Sequence, residues 1–240
     1  MESRGDITLS GATLSTPGYE KTFGDSVDAV TISAGGGTIN LLSKTGNLRA
    51  DAASKLIVDS GTGTAGTLNL LAGSGAITLD AMLNPGVQGS RESSIAFDSG
   101  QSGFDLGGFV TRYGRLFGGD VAVRSGAGDL ALAAGQVLKA KSVSLTADGG
   151  AIAIGGTIDT SGMSIAGMTA DAARNAAVDG GDIALWGRTG VTLAATAKLD
   201  THTSGYADTD SRVASAGDVT IGIASPDAAI TIANGAVMDV

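Results

Sequence analysis

Asp159, Asp200 and Asp239 each stand directly after an apolar residue, Ile158, Leu199 and Met238, at the same place in three repeats. If the repeats stack, their carboxylates stack with them, and a column of acidic oxygens is a donor set that suits a hard cation such as calcium. Calcium usually takes six to eight oxygens, whereas two carboxylates about 4.8 Å apart in water repel by only about 0.9 kcal/mol. A solvated, metal-free ladder is therefore the expectation. Asp208-Thr209-Asp210 has part of a calcium loop but lacks its glycine and distal glutamate, and the stretch from Gly100 to Asp105 does not recur. His202, the single histidine, lies two residues past Asp200 and would need a nucleophile beside it to act as a base. It reads as a turn residue. Without cysteine there is no thiolate nucleophile or Cys-ligated metal site. No catalytic, cofactor-binding or metal-ligating residue is assigned.

The candidates for binding a partner are Arg91, Phe97, Phe104, Phe109, Arg112, Tyr113, Arg115 and Phe117. The five rings among them are more than half of the nine aromatic residues in the chain, concentrated in one stretch with three arginines. Rings beside guanidinium groups can stack on sugars or anchor a protein, so a host-cell receptor or a glycan is the expected kind of partner. The alternative is that the rings pin their own segment onto the strands beneath. Trp186 is a weaker second aromatic candidate.

The elements that would position these residues follow from composition and period. With 39 glycines and 3 prolines in 240 residues, the chain is not collagen, which needs about one-third glycine in strict period. Aspartate outnumbers glutamate 21 to 3, which favours turns over helices. A net charge of -9 and a pI near 4.4 argue against nucleic-acid binding, which needs clustered Lys and Arg. No apolar run reaches the roughly 18 residues of a membrane-spanning helix.

Gly5 to Leu9, Gly119 to Val123, Gly128 to Leu132, Gly181 to Leu185 and Gly217 to Ile221 all open with glycine and then alternate apolar and polar residues. Period two bounded by glycine reads as short strands with one buried face. The pairs Ile39 and Leu48, Leu68 and Ile77, Val121 and Leu130, Val143 and Ile152, Ile183 and Val191, and Val219 and Ile230 are separated by 9, 9, 9, 9, 8 and 11 residues. A third strand follows at Ile57, Leu138, Ile158, Leu199 and Met238. The shortest unit is 22 residues, too small to bury its apolar faces except by stacking on its own copies.

The predicted fold is thus all-β: one right-handed parallel β-helix, residues 1–240, of about six to seven coils. Excess length marks insertions at 82–118, which is rich in Phe and Arg, and at 162–180 and 203–216. The latter two follow a third strand, so they should leave from one corner, and Thr169 to Ala177 could form a short helix.

Gly156-Thr157-Ile158-Asp159-Thr160-Ser161-Gly162, Asp179-Gly180-Gly181-Asp182-Ile183-Ala184-Leu185, Leu199-Asp200-Thr201 and the run from Ala229 to Val240 resemble the repeats of filamentous-haemagglutinin-like exoproteins. The likeness is good over Gly119 to Val240 and looser over Gly35 to Leu83. The resemblance implies a two-partner secreted adhesin of a Gram-negative bacterium. It would lie outside the cell or on its surface, and an outer-membrane transporter would be the partner of the parent protein. The signal peptide and secretion domain of such proteins are not recognisable here, so the chain is expected to be an internal segment. A pure spacer that presents another domain is the alternative, and a carbohydrate-active enzyme on the same scaffold is a third.

Overall fold

The computed structural model describes residues 1–25, 28–59, 66–84, 93–161, 179–203 and 214–240. Of these residues 49% are strand and 4% helix, so the described chain is mostly β, and all but one of the sheets among the described residues are parallel. The sheets are built by strands taken in rotation.

One sheet holds β1 (Glu2–Ser3), β6 (Thr38–Ser43), β9 (Thr67–Ala72), β12 (Ser94–Asp98), β13 (Asp120–Ser125), β16 (Ser142–Ala147), β19 (Ile183–Gly187) and β22 (Val219–Ile223), in that order. After a short turn the chain enters a second position, occupied by β2 (Ile7–Leu9), β7 (Leu48–Ala50) and β10 (Ile77–Leu79). Beyond a break this position continues with β14 (Leu130–Leu132), β17 (Ala151–Ile154), β20 (Gly190–Leu193) and β23 (Ala229–Ile232). The third position holds β3 (Thr13–Ser15), β8 (Lys55–Ile57) and β11 (Met82–Asn84), and later β15 (Val137–Lys139), β18 (Thr157–Asp159), β21 (Lys198–Asp200) and β24 (Val237–Asp239).

Pairing is in register, so equivalent residues of successive passes stack: Leu68 on Ile95 on Val121 on Val143 on Ile183, and Leu138 on Ile158 on Leu199. Alternation puts these side chains inside, where they form one continuous apolar core. Glycine serves the close approach of passes at the corner: a Cβ on Gly181 would lie 1.5 Å from the Lys141 carbonyl oxygen. At that corner Gly37, Gly66, Gly181 and Gly217 donate N–H to the carbonyls of Thr16, Val58, Thr160 and Thr201, closing the base of the segments that follow β3, β8, β18 and β21.

The structure corrects the expected layout in three places. Residues 82–118 are not one insertion. They contain β11, which pairs with β8, and β12, which pairs on both sides within the first sheet. Only the second and third strands of that pass are replaced, by helix α1 (Leu106–Tyr113), and the replacement is what breaks the second and third sheets. In β8 the inward residue is Leu56, not Ile57, because the register set by Leu14 and Leu83 shifts the strand by one residue. After β3 the chain makes an antiparallel hairpin of β4 (Tyr19–Phe23) and β5 (Val30–Ala34), an element outside the three-strand period. The expected helix at Thr169 to Ala177 lies outside the described residues.

Helix α1 forms because Asp105 caps it, accepting from Gly108 N at 2.8 Å, and because Leu106, Phe109, Val110 and Tyr113 give it one apolar face. That face sits over β14 and β15.

Candidate functional site

The rings that were candidates for meeting a partner are buried. Phe97, Phe104, Phe109, Tyr113 and Phe117 are each 2–8% exposed and pack on one another, with centroids 4.7 Å apart for Phe97 and Phe104 and 4.9 Å for Phe97 and Phe109. Phe97 points inward from β12 and the others close over it from α1 and its flanks. They pin the segment to the strands beneath, which was the alternative the sequence allowed. Of the arginines, Arg112 pairs with Asp80 and also reaches the Leu79 carbonyl, Arg115 is exposed, and Arg91 lies outside the described residues.

Helix α1 cannot continue the ladders that β10 and β11 end, and side chains take over. Tyr113 donates its hydroxyl to the Ala81 carbonyl at 2.7 Å, and burial raises the phenol's pKa above its usual value. On the far side Gln136 Nε2 donates to the Gly107 carbonyl at 2.8 Å and to Thr111 Oγ1 at 2.9 Å. A cleft of about 190 Å³ lies between α1 and β10, and one of about 390 Å³ lies between α1 and the turn before β15. Asp80, Asp105 and Arg112 in the first cleft, and Gln136 and Thr111 in the second, are held by these structural bonds.

The aspartate ladder forms as expected: Asp159, Asp200 and Asp239 are in register, with Lys139 before them in the same column. Two lysines relieve it. Lys139 Nζ lies 3.0 Å from Asp159, and Lys198 Nζ lies 2.5 Å from Asp200 and 3.7 Å from Asp239. Burial pushes the Asp159 and Asp200 carboxyls up. Hydrogen bonds from Ser161 and Lys139 to the first, and from Lys198 and His202 to the second, outweigh it and leave both below the usual carboxylate range. Asp200, His202 and Asp239 come close enough to share a cation. The Lys198 ammonium already sits between the two carboxylates, and a metal would have to displace it. The His202 ring bonds Asp200 through Nδ1, and among the described residues no hydroxyl bonds that ring.

A smaller device recurs and explains the Gly-Asp pairs. The acid, or asparagine, before a strand accepts from the backbone N–H of its equivalent in the next pass: Asp6 from Asn47 at 2.7 Å, Asn47 from Ala76 at 2.9 Å, Asp129 from Ala151 at 2.7 Å and Asp182 from Asp218 at 2.9 Å. These residues are scaffold. Trp186 is half-exposed and lies across Gly222 of the next pass, whose Cβ would meet its ring at 2.1 Å.

The surface that sequence reasoning missed is the hairpin. Cross-strand register places Tyr19, Lys21, Phe23, Val30, Ile32 and Ala34 on one face, and its four large apolar residues are 48–60% exposed. The signal was legible as alternation in Tyr-Glu-Lys-Thr-Phe and Val-Thr-Ile-Ser-Ala on either side of Gly24. No family model, curated protein or solved structure matches this chain. Among the described residues no helix is long and apolar enough to cross a membrane.

Proposed function

We propose that the chain is a rigid stalk segment of a secreted or cell-surface adhesin-like protein of a Gram-negative bacterium, wound as a right-handed parallel β-helix. The observation that carries this reading is the unbroken first sheet, eight parallel strands in chain order over one apolar core. Seven spacings of about 4.8 Å make a rod axis of about 34 Å, stiff because each rung is bonded to the next. Arg112, Tyr113, Asp159, Asp200 and His202 are bound to backbone or to other side chains, as suits a scaffold. The resemblance to filamentous-haemagglutinin-like repeats supports a place outside the cell, with export through an outer-membrane transporter. Antibody labelling of intact cells that make the protein tests this. Labelling without permeabilisation is expected, and labelling only after it would overturn the reading.

A second reading, in which the segment itself adheres to a receptor or glycan, is favoured by the apolar face of β4 and β5. A bare two-stranded hairpin is marginal in water, and four exposed apolar side chains on one face suit a contact. Beads coated with the chain, and with a variant in which residues 19–34 are replaced by a short Gly-Ser link, separate the two readings. The bond from Gly37 N to the Thr16 carbonyl closes the base without the hairpin. Adhesion lost with the hairpin supports a binding segment, and no adhesion of either coating supports a spacer.

A further inference from the structure

Trp186 is the only tryptophan of the chain and, among the described residues of the first sheet, the one exposed large apolar side chain, with 47% of its surface in water. It projects outward from β19 and lies down on β22. A Cβ built on Gly222 would fall 2.1, 2.2 and 2.9 Å from three neighbouring carbons of its six-membered ring. Those distances put the Cβ over a face of the ring, because a Cβ beyond the edge would leave the third carbon farther away. One face of the indole thus rests on the Gly222 backbone, in space that any side chain there would fill, and the other face is open.

The residues in register with the ring extend this platform along the sheet. Thr146, Arg124 and Asp98 follow in the same column, one per rung at steps of about 4.8 Å. The next outward column is small, with Ala96, Ala122, Ser144 and Ala184 in register, so a shallow lane runs beside them. Asp120 and Ser142, bonded to each other at 2.7 Å, stand on its far side. Arg124 is held between Asp148 at 2.6 Å and Asp98 at 3.5 Å, and Arg188, two residues past the ring, is exposed.

We infer that this lane is a binding site for a neutral oligosaccharide, which stacks one sugar on the open face of Trp186 and hydrogen-bonds the next units through Thr146, Arg124 and the carboxylates. A pyranose offers a flat face of C–H bonds to an electron-rich ring, and its rim of hydroxyls needs both donors and acceptors; guanidinium supplies the first and carboxylate the second. One sugar unit is about as long as one rung, so a linear chain meets a new rung with each unit. Arginines close to the ring disfavour a cationic ligand. Three carboxylates around the lane, in a chain of net charge -9, disfavour a sulfated or sialylated one. A protein partner fits less well, because a lone ring among hydroxyls and charges lacks the packed, water-excluding surround of a hot spot. The site uses no residue of the hairpin, and it holds whether the chain is a spacer or adheres by β4 and β5.

Because Trp186 is the single tryptophan, the emission of the whole chain reports on this ring alone. Titration of the purified chain with cellohexaose, maltohexaose, mannohexaose and lacto-N-neotetraose is expected to shift that emission saturably, at millimolar concentration or below, for at least one of them. By calorimetry with that sugar, Trp186→Ala and Arg124→Gln should each weaken binding about tenfold or more, while Trp186→Tyr should keep most of it. Gly222→Leu unseats the ring without removing it and should weaken binding as well. The variant with residues 19–34 replaced should bind unchanged, which separates this site from adhesion by the hairpin. No response to any neutral sugar, or a response only to a heparin hexasaccharide or to choline, would overturn the site. So would binding that survives Trp186→Ala or is lost with the hairpin.

Discussion

In the pass that begins at β12 the interior is filled by five aromatic rings. In the passes from β16 to β21 it is filled by Val143, Leu145, Ile152, Ile154, Ile183, Leu185 and their stacked neighbours, without one ring. A helix packs with its axis farther from the core than a strand, because its own radius intervenes, and only large side chains span the gap. The two regions also satisfy their backbones differently. A strand pass hands its N–H and C=O groups to the next pass, while α1 keeps its own, leaves the β10 and β11 side to Arg112 and Tyr113, and is tied to the following pass by Gln136. One core can therefore run through a change of secondary structure if side chains replace both the volume and the hydrogen bonds that the missing strands supplied.

The largest test of this contrast is Phe109→Ala, which should cost about 3 to 5 kcal/mol of stability in denaturant melts. Phe109 touches four other rings, so a loss below about 1 kcal/mol would mean that the rings do not fill the core. In the strand passes the corresponding weak point is backbone contact. Gly181→Ala drives a Cβ into the Lys141 carbonyl and should cost about 2 to 3 kcal/mol by the same measurement. Tyr113→Phe leaves the Ala81 carbonyl without its partner and should cost about 1 to 2 kcal/mol, whereas a neutral outcome would show that this sheet end needs no donor from the helix.

Acid should weaken the strand passes through their carboxylates. Asp51 is held at about 2, by the Gly11 N–H first and then by Ser10 and Ser54, and Asp159 and Asp200 also lie below their ordinary value. Folded-state values below the unfolded ones give stability that is present above about pH 4 and lost as pH falls toward 2, so the denaturation midpoint should decline across that window. The smallest effect is expected for Arg112→Ala. Its pair with Asp80 is more than half exposed on the arginine side, so solvent screens it and the denaturation midpoint should hardly move.

The three-strand period was legible because burial on one face forces alternation, and the turn between the first and second strands is nearly constant in length. The aspartate ladder was legible for the same reason: equal spacing becomes equal height once strands pair in register. The pass holding β12 was not, because Ser-Ile-Ala-Phe-Asp is an ordinary strand pattern whose two companions are missing, so counting in threes skipped it. Arg112 and the five rings left both a binding surface and an internal pin open, because a sequence shows that aromatic residues cluster but not which way the cluster faces.

From its own residues the chain determined strand, turn and column. Alternation, glycine where passes approach and an acid before the strand are local properties that any stacking must respect. What the tertiary structure decided was occupancy: that a helix stands in for two strands, that the rings turn inward, and that Lys198 lies between two carboxylates whose column alone could have suited a metal. These depend on what comes to rest opposite a residue from far along the chain, and the free energy of burial or of pairing charges is set by that neighbour.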